Sequence, residues 1–288
     1  MSLDLNALLE AVAAEDQKVD LSGVVLHSGW ESVVLETRDG WILRFPRAHV
    51  DFEREVAVLR RLAGRLPVPI PTIEWTGRHR PFAAYRKIDG WEFDRDAYAR
   101  APEPQRDALA GSLAAFLAAM HTILTPAEIT ELAIPVPDDL GSAIARLAGT
   151  LDVLPPNIRD ALADVLDEAR ALSAGYDGAE DPVLLHNDFH FGNLVLDGPV
   201  GELAGIWDFS CVQLGDPSSD LRYLATVSAD LLRRVAGEYE RLTGRRVDAR
   251  AAIVAARLEI ASDAMDLNEP ETLEKAVRKW RHRDAMSS

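Results

Sequence analysis

The sequence predicts an α+β fold in two unequal parts: a small antiparallel sheet with one helix, then a larger, mainly helical part carrying one β-hairpin. Three observations predict it. Short runs of alternating apolar and polar residues fill the stretch before residue 90. The Ala/Leu-rich segment from Asp107 to about Gly175 repeats at helical spacing, and two short apolar runs flank the turn Asp197-Gly198-Pro199. The 288 residues suffice for about two domains or one large bilobal fold.

Taken in order, residues 5–15 form a short amphipathic helix, and Val24 to Leu26 and Val33 to Thr37 read as strands around Ser28-Gly29-Trp30-Glu31-Ser32. Trp41 to Phe45 is a third strand, joined to the second through Arg38-Asp39-Gly40, and Asp-Gly between alternating apolar residues is a strong hairpin signal. Asp51 to Leu62 places Phe52, Val56, Leu59 and Leu62 on one helical face. Pro67, Pro69 and Pro71 end that helix and force an extended segment. Phe82 to Ile88 is a further strand, closed by Asp89-Gly90. Val183 to Leu185, Leu194 to Leu196 and Leu203 to Trp207 follow as short strands, and Asp216-Pro217 opens a helix with Asp as cap and Pro at its first position. The expected organisation is an N-terminal lobe over 1–88, a linker at 89–91, and a mainly helical lobe over 92–288.

Composition removes several function classes. Lys and Arg number 31 against 47 Asp and Glu, a net charge of −16, which excludes a nucleic-acid binder that needs a positive face. The same charge suits a cationic small molecule. With 48% hydrophobic and 27% charged residues the chain has the make-up of a folded globular protein. The single cysteine, Cys211, excludes an intramolecular disulfide or a multi-cysteine zinc site. Ala108 to Ala127 lacks Asp, Glu, Lys and Arg, yet its Gly111, His121, Thr125 and Pro126 mark a buried core helix rather than a membrane span. The acidic N-terminus lacks the basic region of a secretory signal, so the expectation is a cytoplasmic protein. No pattern fixes an oligomeric state.

The chemistry concentrates between His186 and Asp208. Asp188 and Asn193 stand in a D-x-x-x-x-N pattern directly before a strand, and a second strand ends in Asp208-Phe209-Ser210. Phosphoryl transfer needs this set: a carboxylate to accept a hydroxyl proton, and hard oxygen ligands for magnesium. The hairpin folds Asn193 and Asp208 towards one mouth. His186 and His190 read as loop-fixing groups, because no further His/Asp cluster completes a metal shell around them.

Together these residues resemble the aminoglycoside phosphotransferase family, relatives of the protein kinases. The resemblance rests on His186-x-Asp188-x-x-x-x-Asn193, Ile206-Trp207-Asp208-Phe209 and Gly215-Asp216-Pro217-Ser218-Ser219-Asp220. It implies a protein-kinase-like bilobal fold and an ATP- or GTP-dependent small-molecule kinase with Mg2+, of the kind that confers antibiotic resistance. Asp188 is then the catalytic base, and Asn193 and Asp208 hold the metal. Arg44, in Leu43-Arg44-Phe45-Pro46-Arg47, resembles the basic strand residue that meets the phosphates, and Glu55 the helix glutamate that pairs with it. Tyr85, Arg86, Lys87 and Ile88 resemble the hinge strand whose backbone reads the base. The 28–32 loop covers the phosphates through Ser28, Gly29 and Ser32. Arg44 stands where many relatives carry lysine, the loop holds one glycine, and Ser210 replaces glycine after the metal motif.

Seven residues separate Asp208 from Asp216, too few for a peptide-docking segment, so the acceptor is a small molecule. The stretch from Glu259 to Glu274 carries Glu259, Asp263, Asp266, Glu269, Glu271 and Glu274 without a Lys or Arg. The expectation is that Glu259, Asp263 and Asp266 line the site of an aminoglycoside-like acceptor. The alternatives are a macrolide phosphotransferase, a kinase for a sugar, amino alcohol or homoserine, and an inactive nucleotide-binding module.

Overall fold

The computed structural model describes residues 5–15, 19–136, 140–175, 182–266 and 270–287. In chain order its elements are α1 (Leu5–Ala13), β1 (Val25–Ser28), β2 (Ser32–Glu36), β3 (Trp41–Pro46), α2 (Phe52–Leu62), β4 (Trp75–Thr76) and β5 (Ala83–Arg86). There follow α3 (Arg95–Arg100), α4 (Glu103–Thr122), α5 (Pro126–Glu131), α6 (Leu140–Ala148), α7 (Pro156–Gly175) and the short strands β6 (Val183–Leu185), β7 (Leu194–Leu196), β8 (Leu203–Ile206) and β9 (Gln213–Gly215). The chain ends in α8 (Arg222–Val227), α9 (Ala229–Thr243), α10 (Ala249–Asp266) and α11 (Pro270–Ser287). This is the expected α+β architecture, an antiparallel sheet ahead of a mainly helical remainder. Among the described residues no helix is long and apolar enough to cross a membrane.

By compactness the chain divides into two units, Met1–Ile134 with His186–Val212, and Pro135–Leu185 with Gln213–Ser288. The first unit holds the five-stranded antiparallel sheet in the order β1-β2-β3-β5-β4. The hairpin between β2 and β3 turns at Gly40, whose φ of +82° explains why glycine follows Asp39 there. Asp51 caps α2 by accepting from the Arg54 amide at 3.2 Å, and Glu53 and Glu55 in the first turn suit its dipole. One face of the sheet buries Leu35, Leu43, Phe45 and Phe82 against Leu8 and Val12 of α1. Phe45 stacks on Phe82 at 4.8 Å, and Trp75 meets Phe82 edge-on. In α4, Leu109, Leu113, Phe116, Leu117 and Met120 are buried at helical spacing, as expected of a core helix.

The hairpin β7–β8 belongs to this unit because backbone bonds tie it there. The Trp91 amide donates to the Leu196 carbonyl at 2.8 Å, the reverse bond is 2.9 Å, and the Ile206 amide donates to the Pro69 carbonyl at 3.2 Å. The expected linker at 89–91 therefore falls inside a compact unit. The second unit pairs β6 with β9 and packs α6, α7, α10 and α11 around Leu162, Leu166, Leu258, Leu273 and Trp280.

Two local expectations are corrected, and two short strands had none. Asp216-Pro217 opens only a 3₁₀ turn at Pro217–Ser219: the Asp216 carboxylate accepts from the Ser218 amide at 2.8 Å, and α8 starts at Arg222. The helical region starts before Asp107, since Asp94 caps α3 by accepting from the amides of Asp96 and Ala97 and α4 begins at Glu103. β4 and β9, two and three residues long, carry too few positions to display an alternating pattern.

Candidate active site

The loop from His186 to Asn193 is built by side chain to backbone bonds. His186 is fully buried; its Nε2 donates to the Trp207 carbonyl at 3.1 Å and its Nδ1 accepts from the Asp188 amide at 3.3 Å. Its ring packs edge-on against Phe209 at 4.7 Å. That one histidine joins the two ends of the hairpin, the loop-fixing role expected of it. Asn187 and Asp208 sit at φ of +61° and +64°, a left-handed conformation that Asn and Asp tolerate better than other side chains and that costs about 1 kcal/mol or more.

Asn193 is the link between Asp188 and Asp208. Its Nδ2 donates to the Asp188 Oδ2 at 2.5 Å and to the Asp188 carbonyl at 3.0 Å. Its own carbonyl accepts from the Trp207 amide at 2.9 Å, which brings it beside Asp208 although 15 positions separate them. Asp188 is half-buried. Burial works against its charge, but His190, His186 and Asn193 outweigh that and hold the carboxyl below the usual aspartate range.

Arg44 projects from β3 and is 5% exposed. Its Nη1 donates to Glu55 of α2, its Nη2 donates to Asp208 Oδ1 at 2.8 Å, and Glu31 stands 4.0 Å away. Burial opposes the guanidinium charge, and Glu55 and Asp208 more than offset it, so Arg44 stays charged. Burial likewise pushes the Glu55 carboxyl up, with Arg44 opposing. The departure from lysine has a reason here: one planar fork serves two carboxylates at once.

The remaining expected residues divide by position. In the 28–32 loop the Ser28 hydroxyl and the Gly29 carbonyl accept from Arg47, each at 3.0 Å, and the Gly29 amide donates to the Ser32 carbonyl at 2.9 Å. Arg47 is thus a loop brace, while Ser32 is buried at the start of β2. Tyr85 is buried against Val56 and Ala83, Arg86 lies 3.8 Å over the Trp41 ring, and the Lys87 ammonium meets Glu36 at 2.6 Å. The Lys87 amide is taken by the Gly40 carbonyl at 2.9 Å. Ile88, packed under Gly205, keeps an amide that finds no acceptor among the described residues. Of the acidic stretch, Glu259 is bound by Arg222 and by the Tyr223 hydroxyl at 2.6 Å, so its charge is locally neutralised. Asp263 is exposed on α10, and the side chain of Asp266 and all of Glu269 lie outside the described residues.

Glu31 is the residue that the sequence reading missed. Its carboxylate accepts from the Cys211 thiol at 3.0 Å, and the Ser210 hydroxyl, with one proton to give, stands between Glu31 and Asp208 Oδ1, 2.7 Å from the latter. Burial raises the Glu31 carboxyl, with Asp208 and Asp188 adding to the effect. The available signal was an acid in a loop assigned to cover phosphates, where like charge is out of place. Burial and the neighbouring carboxylates also push the Cys211 thiol up, which keeps it unreactive. In Glu31→Gln, thiol alkylation of Cys211 by a maleimide is expected to run several-fold faster than in wild type. Equal rates would mean that Glu31 does not hold the loop down over the thiol.

The donor set suits a hard divalent cation. Among the described residues, Asn193 Oδ1 and Asp208 Oδ2 accept no hydrogen bond, and both belong to side chains whose other polar atom is fixed. The carboxylates of Asp188 and Asp208 alone outnumber the single guanidinium of Arg44, so a cation is electrostatically favoured before any phosphate arrives. No group of three or more His, Cys, Asp or Glu side chains forms a metal cluster by itself among the described residues. The arrangement sets the Asp188 carboxylate on Asn193, with the open oxygens Asn193 Oδ1 and Asp208 Oδ2 on side chains that are otherwise fixed.

The model of a family described as the phosphotransferase enzyme family matches residues 22–254. No curated protein matches the chain. Among solved structures, the GDP complex of wild-type aminoglycoside 2'-phosphotransferase-IIIa superposes with a TM-score of 0.80 at 20% identity, covering 98% of this chain and 99% of that one. The GDP and kanamycin complex of APH(2")-IIia gives 0.78 at 18%, with the same shares of the two chains. Macrolide 2'-phosphotransferase MphH from Brachybacterium faecium gives 0.66 at 20%, covering 95% and 97%. These likenesses establish the kinase-like fold expected from the motifs. With its model matching most of the sequence, the chain belongs to the phosphotransferase enzyme family.

Proposed function

We propose that the chain transfers the γ-phosphoryl group of ATP or GTP to a hydroxyl of a cationic, aminoglycoside-like small molecule. The observation that carries this reading is the contact of Asp188 with Asn193, and of Asn193 with the strand that ends in Asp208, next to a guanidinium already committed to carboxylates. In the proposed reaction the Asp188 carboxylate orients the acceptor hydroxyl and takes its proton. The hydroxyl oxygen forms the new bond to the γ-phosphorus as the bond to the β-phosphate bridging oxygen breaks. Positioning and charge stabilisation supply most of the acceleration. Asn193 and Asp208 would hold Mg2+, which when bound neutralises phosphate charge. Arg44 lies beside them as the second positive group.

The 28–32 loop is proposed as the phosphate cover and the backbone at Tyr85–Ile88 as the base reader, with the free Ile88 amide as its donor. In this reading residues 1–88 form the nucleotide lobe and 89–91 its linker. An aminosugar acceptor is favoured by the net charge of −16, and similar structures include complexes with kanamycin and gentamicin. Glu259 is the weakest of the three proposed acceptor-lining residues, since it is spent on Arg222. The similarity to macrolide phosphotransferases keeps a macrolide as the second reading.

Nucleoside diphosphate release, measured with a panel of aminoglycosides, macrolides and small hydroxyl metabolites, tests the proposal. The expected result is Mg2+-dependent release that rises well above the acceptor-free rate with an aminoglycoside. Stimulation by a macrolide or a metabolite alone would move the acceptor assignment. Absence of release with every acceptor, despite nucleotide binding, would leave only a binding module.

A further inference from the structure

We propose that His190 is a positioning residue for phosphoryl transfer, holding one oxygen of Asp188 so that the other faces the acceptor. The inference rests on the reading of Asp188 as the base and adds the group that aims it.

Three observations carry it. The Gly192 amide donates to His190 Nδ1 at 2.9 Å. A neutral imidazole that accepts at Nδ1 carries its proton on Nε2. That Nε2 lies 3.4 Å from Asp188 Oδ2, the same oxygen that receives the Asn193 amide at 2.5 Å. The Asn193 amide therefore bonds Oδ2 and the His190 Nε2–H stands 3.4 Å from the same oxygen, whereas Oδ1 accepts from no group among the described residues.

The backbone is shaped around this ring. The His190 amide donates to the Asp188 carbonyl and the Asn193 amide to the His190 carbonyl, both at 2.9 Å, which folds 188–193 into a tight loop. A Cβ at position 192 would stand 2.7 Å from His190 Cε1 and 2.9 Å from Nδ1. Any residue but glycine there pushes the ring off the amide that fixes its tautomer. At 38% side-chain exposure, the ring acts through direction more than through charge, because solvent screens it. The 3.4 Å separation is long, and such contacts tighten when substrate is bound.

The test compares His190→Ala, His190→Gln and Gly192→Ala. Misaiming the base lowers kcat by about 10- to 100-fold in His190→Ala, with the nucleotide Kd and the acceptor KM within two-fold of wild type. His190→Gln, whose amide can reach the same carboxylate oxygen, recovers much of that loss. Gly192→Ala loses a similar factor, and the double variant His190→Ala/Gly192→Ala is no worse than His190→Ala alone. Nitrogen-15 spectra of the histidine-labelled wild-type protein show His190 protonated at Nε2 and not at Nδ1. An Nδ1-protonated ring, an unchanged kcat in His190→Ala, a loss carried by KM or Kd, or a glutamine variant no better than alanine would each overturn the proposal. If the wild-type protein turns over no acceptor, the base assignment fails and takes the positioning role with it. A correct tautomer alongside an unaffected kcat removes the positioning role alone.

Discussion

Asp188→Ala abolishes acceptor phosphorylation while leaving Mg2+-dependent nucleotide binding in place. Removal of a general base is expected to lower kcat by about 10²- to 10⁴-fold. Binding survives because Asn193 has a second anchor. Its amide also donates to the Asp188 backbone carbonyl at 3.0 Å, a bond that the substitution spares. Asn193 is buried, and its carbonyl stays tied to Trp207, so its Oδ1 keeps its direction. Arg44, Glu55 and Asp208 make no contact with the deleted carboxylate. Steady-state release of nucleoside diphosphate, paired with calorimetric titration of nucleotide, separates the two effects. Turnover by Asp188→Ala at the wild-type rate would refute the assignment, and loss of binding in parallel would make Asp188 a metal or phosphate ligand instead.

The parts legible in the sequence are those whose signals are local. The β2–β3 hairpin announces itself in Asp39-Gly40, and α2 in its apolar spacing and its Asp51 cap. Asp188 and Asn193 lie five apart, so one loop brings them together whatever the rest of the chain does. Arg44 and Glu55 sit on adjacent elements, 11 positions apart, and their pairing followed from the family pattern. Glu31 is different. Its partners Ser210 and Cys211 lie 179 and 180 positions away, and the one local hint is an acid in a loop assigned to cover phosphates, which does not say what that acid meets. The acidic C-terminal stretch shows the opposite limit. Charge counted along the sequence does not reveal that Arg222, 37 positions back, takes up Glu259. The structural role of Arg47 was also out of reach, because its acceptors are a serine hydroxyl and a backbone carbonyl, groups that carry no pattern of their own.

Arg44→Ala is expected to have the largest effect on stability of any substitution at the site. Both Arg44 and Glu55 are 5% exposed, so the change strands a buried carboxylate, and breaking a buried pair in this way costs about 3–5 kcal/mol. Asp208 and Glu31, partly open to solvent, add less. The sign of the pH dependence follows from the direction in which burial drives Glu55. Its folded-state pKa already lies above the unfolded value, and loss of the opposing guanidinium raises it further. The folded variant therefore holds the proton more tightly than the unfolded chain. Arg44→Ala is most stable at acidic pH and loses stability as pH rises through the elevated value, more steeply than wild type. Thermal melts between about pH 5 and 8 measure this slope. Arg44→Lys separates charge from shape. A single ammonium neutralises Glu55 but cannot donate along two parallel directions to Glu55 and Asp208, so much of the stability returns while the hold on Asp208 weakens. Replacing both partners, as in Arg44→Met/Glu55→Leu, leaves no buried charge in the pair and is expected to be more stable than Arg44→Ala. If the double variant melts no higher than the single one, the cost lies in lost packing around Arg44, and the pair is not what joins β3 to α2.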